Sequence, residues 1–399
     1  MKAPTDRLSV EIWQDILLFA IEPDLGASVF ATTCTVSTFL HFMKQENGSY
    51  HKYTRRRVTL RQVCHAWNEF LLSTKSWWIH IHNPDRPKKT LLLPSIPDRL
   101  YTVKRLSMTI PDAGCVGPRV GWATYLLRRA QRPLISYDVD LPLCSSTCQR
   151  HKPHDFLPAV GSNNMALRSL RIVFPALNLC RAISFPQLNT HFKNLISLSL
   201  CNLVMLSTQE LTLPRLELLH LTRYIGTPPL PTEGWDLPRL RHVCFDGILD
   251  EDYVNTLLNS LLRYASQLET LFLVLYESWN DLPHNFWDSF TALQVLGLRY
   301  NVLNDRGWGG WTTTPPPTHP FRYLVCRHCE GDVVVTVDSL RSVWTYHEEV
   351  ALVIEKGTRG KYYLIEDIKA EGWKTRMIES NGILPDRRQS LGITPGSGK

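Results

Sequence analysis

Pro214-Arg215-Leu216-Glu217-Leu218-Leu219-His220-Leu221-Thr222-Arg223-Tyr224 decides the architecture. Leu216, Leu219 and Leu221 follow the spacing L-x-x-L-x-L, whose last two leucines alternate as the buried face of a short strand does. Allowing other apolar residues, the spacing recurs at Val103/Leu106/Met108, Leu134/Tyr137/Val139, Leu167/Leu170/Ile172, Leu195/Leu198/Leu200 and Leu240/Val243/Phe245. It recurs again at Leu268/Leu271/Leu273, Leu293/Leu296/Leu298 and Phe321/Leu324/Cys326, with a weaker copy at Leu340/Val343/Thr345. The steps between copies are 31, 33, 28, 21, 24, 28, 25, 28 and 19 residues. One such unit cannot bury its apolar face alone, but stacked neighbours can, with their strands pairing side by side in a parallel sheet.

Steps clustered in the twenties are those of leucine-rich repeats. The expected class is therefore α/β, with a leucine-rich-repeat-like solenoid over residues 86–348 and a parallel sheet on its concave side. Only Leu293–Leu303 continues to the fuller pattern, with Asn301 at the turn. Asp250–Ser266 reads as a helix through Val254, Leu257, Leu258, Leu261 and Leu262. Pro186, Pro214 and Pro238 suggest irregular connections, and 307–320, rich in Gly, Trp and Pro, reads as an exposed loop. After about residue 349 the repeat stops, leaving an extension over 349–399 whose last 19 or so residues read as disordered.

The residues between the inward leucines face the concave side. Ser199, His220, His242, Cys244 and Phe272 are the candidates there for holding a protein cargo. Their mixture of apolar, polar and basic groups suits a protein better than a small metabolite.

The N-terminal part has another pattern. Ile12, Trp13, Ile16, Leu17, Ala20 and Ile21 recur at helical spacing after Ser9, a good N-cap, with Glu11 in the first turn. A second apolar stretch covers Val29–Met43, and Lys44–Lys52 reads as a loop. Leu60, Val63, Cys64, Trp67, Phe70 and Leu71 then form one apolar helical face, which would bury Cys64. Arg55, Arg56, Arg57 and Arg61 fall at the start of that helix, where its dipole disfavours cations.

Leu8-Ser9-x-Glu11-Ile12-Trp13-x-x-Ile16-Leu17, then Leu60-Arg61-Gln62-Val63-Cys64-His65-Ala66-Trp67-Asn68-Glu69-Phe70-Leu71, then Trp77-Trp78-Ile79 resemble an F-box. The resemblance covers residues 6–85, with an insertion at about 39–54. The Glu-Ile-Trp start and the basic approach to the last helix look like the large F-box set of mushroom-forming fungi. The resemblance implies docking on the Skp adaptor of a cullin–RING ubiquitin ligase, with Leu8, Glu11, Ile12, Trp13, Ile16, Leu17, Val63, Cys64, Trp67 and Trp77 as the docking residues. The downstream repeats would then hold an unknown protein substrate. Besides a substrate receptor of the ligase, an F-box scaffold outside degradation and a plain repeat interaction module fit the same residues.

Other classes find little support. The net charge of +7 is spread as +1, +4 and +2 over residues 1–85, 86–348 and 349–399, so no concentrated phosphate-binding stripe suggests nucleic acid. No apolar run suits a bilayer span and no secretory leader is apparent, so an intracellular protein, cytoplasmic or nuclear, with reduced thiols is expected. Catalytic motifs of the G-x-S-x-G, Walker or H-E-x-x-H kind are missing, and no enzyme or cofactor is expected. Cys144, Cys148, His151 and His154 are metal-capable types, but their spacing is not that of a common zinc finger, and no metal is expected.

Overall fold

All nine stronger triplets end in a strand of one parallel sheet. The computed structural model describes residues 9–21, 49–73, 78–82, 105–109, 136–140, 160–161, 166–173, 185–201, 210–224, 234–247, 257–275, 285–299, 315–316, 318–327, 351–355 and 375–378. Leu340/Val343/Thr345, Asn301, the stretch Val29–Met43, the Cys144–His154 group and the last 19 residues lie outside them.

The helices are α1 (Val10–Ile21), α2 (Ser49–Arg61), α3 (His65–Ser73), α4 (Phe185–His191) and α5 (Phe286–Ser289). The strands are β1 (Trp78–His82), β2 (Arg105–Thr109), β3 (Ser136–Asp140), β4 (Ser169–Val173), β5 (Ser197–Cys201), β6 (Leu211–Thr212) and β7 (Leu218–Tyr224). They continue as β8 (Trp235–Asp236), β9 (His242–Gly247), β10 (Thr270–Leu275), β11 (Val295–Arg299), β12 (Tyr323–Arg327), β13 (Ala351–Glu355) and β14 (Thr375–Ile378). Twelve strands pair in chain order, β1-β2-β3-β4-β5-β7-β9-β10-β11-β12-β13-β14, every pair parallel, and β6 pairs with β8 separately. The chain is thus α/β with a parallel sheet.

The sheet reaches further than the triplets. Trp78–His82, expected within the first 85 residues' helical module, is its first strand. β13 and β14 lie in the stretch read as an extension after 348. Ala351-Leu352-Val353-Ile354 is a continuous apolar run, and so it lacks the alternation that revealed the others.

The register puts each triplet's last two residues in two unbroken rows. Leu106, Tyr137, Leu170, Leu198, Leu219, Val243, Leu271 and Leu296 are neighbours along one row. All eight are buried. Full burial of each such side chain is worth roughly 1.5–3 kcal/mol, and the row is continuous only if every strand keeps its register.

A repeated backbone bond fixes that register where each strand begins. The amides of Ile196 and Ser197 both donate to the Arg168 carbonyl, at 2.8 and 2.9 Å. Those of Glu217 and Leu218 donate to Ile196, those of Arg241 and His242 to Glu217, and those of Glu269 and Thr270 to Arg241. One carbonyl of each unit therefore holds two amides of the next.

A tight turn precedes several strands. Leu216 donates to the Leu213 carbonyl and Leu240 to that of Leu237, with Pro214 and Pro238 at the first central position, whose φ proline presets. These prolines build turns instead of irregular connections. Pro186 sits in the first turn of α4, where its missing N–H costs nothing. Residues 257–261 are helical, as expected, and tighten into a 3-10 turn at Leu262–Tyr264. The expected exposed loop ends in a packed corner: Pro315 is buried, and the His319 ring lies 5.3 Å from that of Trp287 and 3.0 Å from the Phe290 carbonyl. Among the described residues, no helix is long and apolar enough to cross a membrane.

Candidate partner-docking surface

α1 begins as its sequence directs. Ser9 Oγ accepts from the Ile12 amide at 3.4 Å, and the Ser9 carbonyl accepts from the Trp13 amide at 3.3 Å. Backbone and Ser9 hydrogen bonds, in that order, lower the Glu11 pKa below the usual glutamate value.

The next helix is not one helix. The chain breaks between α2 and α3, and α2 starts at Ser49 inside the expected loop. Thr59 Oγ1 bonds back to the Arg55 carbonyl at 3.0 Å, and the β-branched pair Val58-Thr59 weakens the last turn. The amides of Gln62 and Val63 then close onto Thr59 and Leu60, three residues back instead of four. The break relocates the arginines. Arg55, Arg56, Arg57 and Arg61 occupy the C-terminal half of α2, the half its dipole makes favourable for cations. Arg57 Nη2 donates to the Leu71 carbonyl at 2.5 Å, and Arg61 Nε donates to Asn68 Oδ1 at 3.0 Å, tying α2 to α3.

The break also changes which residues are inside. Leu17 and Leu71 are fully buried, and the Trp13 and Phe70 rings meet edge to face at 5.5 Å. Trp67 is half-buried, its indole N–H buried and unbonded. Cys64, expected on the buried face, is exposed, as is its neighbour Val63 at 57%. Ile12 and Ile16, on one side of α1, are exposed to 49% and 53%. The expected docking residues therefore divide. Glu11, Ile12, Ile16, Val63 and Cys64 face solvent, whereas Leu17 holds the helices together and Trp13 and Trp67 are partly covered. Leu8 and Trp77 lie outside the described residues. Val10, Val58 and Leu72 are also exposed. Sequence reasoning missed them because Val58 stands among arginines and Leu72 follows the assumed single face.

The other face of the sheet gathers the five expected cargo residues. Ser199, His220, Cys244 and Phe272 are successive neighbours in one row, and His242 lies in the row beside it. They were expected to be open, yet none is more than 8% exposed. Side chains of neighbouring strands bond one another here. Ser199 Oγ lies 2.9 Å from His220 Nδ1, His242 Nδ1 lies 3.1 Å from Thr270 Oγ1, and Ser197 Oγ donates to Ser169 Oγ at 3.0 Å. Nearer the N-terminus Arg105 Nε and Nη2 both donate to Asp138 Oδ2, at 2.9 and 2.5 Å, in a buried ion pair. Past Cys244 the row turns apolar, and the Phe272 ring lies over Gly297. As the structure stands, none of these five side chains is open to solvent. Among the described residues, no group of three His, Cys, Asp or Glu side chains is placed to hold a metal ion.

No protein-family model matches the chain, and no curated protein matches it.

Proposed function

We propose that the chain is an F-box substrate receptor: its N-terminal helices dock on a Skp adaptor, and a leucine-rich-repeat solenoid carries a protein cargo to a cullin–RING ubiquitin ligase. One observation carries the reading. The three helices fill their own small core with Leu17, Leu71 and the Trp13–Phe70 pair, yet leave Ile12, Ile16 and Val63 in solvent. Apolar residues standing on a helical surface lose free energy until a partner covers them, at roughly 1.5–3 kcal/mol for each fully buried. The F-box resemblance assigns these same positions to the adaptor. In-order parallel stacking of the twelve strands of the main sheet supports the solenoid, since stacked units can share a continuous core.

The test is adaptor binding by the full chain. Ile12→Ala with Ile16→Ala removes exposed side chains and leaves Leu17 and Leu71 in place. It should weaken binding at least tenfold with unchanged helicity, as expected of central apolar contacts worth more than ~1 kcal/mol each. Equal affinity of the double variant and the parent would sink the reading. Turnover separates a ligase receptor from a scaffold: removing residues 1–73, which spares β1, should stabilise the cargo in cells.

A further inference from the structure

We propose that the edge of the sheet where its strands begin binds an acidic segment of a protein partner through Lys193, Arg215 and Arg239. This deepens the cargo half of the reading above and rests on it; adaptor docking by the N-terminal helices is separate from it.

The three cations are 22 and 24 residues apart in the chain, so no basic run announces them. Folding brings them together. Leu195 donates to the Phe192 carbonyl, as Leu216 does to that of Leu213 and Leu240 to that of Leu237, so one tight turn recurs in three consecutive units. The two central residues are Lys193-Asn194, Pro214-Arg215 and Pro238-Arg239. These turns lead into β5, β7 and β9, which are neighbours in the sheet. Neighbouring strands lie about 4.8 Å apart, so the turns form a row about 10 Å from first to last. All three cations are exposed. The row has an end: ahead of β10 and β11 the corresponding places hold Ser266-Gln267 and Thr291-Ala292, which carry no charge.

Carboxylates close by leave a surplus. One step nearer the strands, Glu217 and Glu269 stand on either side of Arg241 in a row joined by backbone hydrogen bonds. Glu217 is buried, and Glu269 forms an ion pair with Arg241. Asp236, exposed, just precedes the last of the three turns and can answer one cation of the three. Among the described residues, no ion pair holds Lys193, Arg215 or Arg239. Like charges in so short a row repel one another, and a partner of opposite charge relieves that repulsion. An extended peptide places alternate side chains about 6.6–6.8 Å apart, a spacing that long Lys and Arg side chains on neighbouring turns can follow. Exposed cations of this kind steer such a partner and fix its register. A nucleic acid suits the row less well, because it is short and its turns offer no aromatic ring at their centre on which a base would stack.

Fluorescence anisotropy of the full chain with a labelled glutamate decapeptide at low salt tests this. The parent should bind the peptide, and raised salt should weaken the binding, since exposed charges are screened. Lys193→Ser with Arg215→Ser and Arg239→Ser should weaken it at least about tenfold. Arg215→Lys with Arg239→Lys keeps the charges and should bind as the parent does. Arg55→Ser, which removes an exposed cation of α2, should change nothing. A parent that does not bind the peptide overturns the proposal, and so does a triple-serine variant that binds it equally well. A single-stranded oligonucleotide, or vesicles containing phosphatidylserine, that bind more tightly than the peptide and are lost in the same variant overturn the choice of partner. Adaptor binding, measured on the same proteins, should be equal in the parent and the triple variant. Peptide binding through this edge without adaptor binding would leave the edge standing and remove the receptor reading, and adaptor binding without peptide binding would do the reverse.

Discussion

Gly297→Ala should destabilise the protein through one neighbour. A Cβ built on Gly297 would lie 2.2, 2.4 and 2.5 Å from Phe272 Cδ1, Cε1 and Cγ, where real Cβ atoms essentially never come within 3.0 Å. An ordinary carbon contact is about 3.5–4 Å, so the ring must retreat by more than about an ångström. It has nowhere open to go: Phe272 is 3% exposed, with Cys244 beside it on the far side. Overpacking of this kind costs about 1–3 kcal/mol, including about 0.5–1.5 for an off-rotamer ring. Backbone strain adds nothing, because φ at Gly297 is outside the left-handed region. In a Phe272→Leu background the same substitution should cost little, and the gain of Ala over Gly in a strand, about 0.5–1 kcal/mol, could even reverse the sign. Urea unfolding of the parent, both single variants and the double variant gives the coupling energy, expected to exceed about 1 kcal/mol. Equal costs of Gly297→Ala in the two backgrounds, within about 0.5 kcal/mol, would refute the packing argument.

Three further outcomes follow from named contacts. Asp138→Ala leaves Arg105 buried without its carboxylate and should cost about 3–5 kcal/mol in the same unfolding assay, whereas Arg105→Met with Asp138→Leu should cost far less; a single variant as stable as the parent would contradict the buried pair. Ser9→Ala should cost about 1 kcal/mol of α1 stability and raise the Glu11 pKa, because one of the bonds lowering it is gone. Glu11's contribution is present above the ordinary carboxylate range and is lost as pH falls through its lowered value, which carboxyl-detected NMR titration would follow. Tyr264 donates to the Trp235 carbonyl at 2.8 Å, and burial pushes its phenol up. Its ultraviolet titration should begin above the ordinary value near 10, with stability lost as pH rises through that range, and Tyr264→Phe should cost about 1 kcal/mol.

Much of this was legible in the chain itself. Leu216, Leu219 and Leu221, and eight further triplets like them, specify strands because alternate burial is written residue by residue in period two. Ser9 and Glu11 mark the start of α1 for equally local reasons, since a cap needs only its own three residues. The break at Gln62–Cys64 was hidden, because Leu60, Val63, Trp67 and Phe70 keep helical spacing across it, while a Thr59 back-bond and a shortened turn end α2. That break turned Cys64 and Val63 outward and set the arginines at a favourable helix end. β1, β13 and β14 were hidden too. β1 was absorbed in the F-box-like motif, and the unbroken apolar run of β13 has no alternation to read.

The sequence by itself determined which residues face the apolar core and that the units stack in order, since the hydrophobic period carries that information locally. It also put Ser199, His220, Cys244 and Phe272 on one common side. Only the tertiary structure decided that these four side chains are buried, that hydroxyls and imidazoles of neighbouring strands bond one another, and that Ile12, Ile16 and Val63 stay in solvent. Exposure depends on what packs against a residue from elsewhere in the chain, and no local pattern states that.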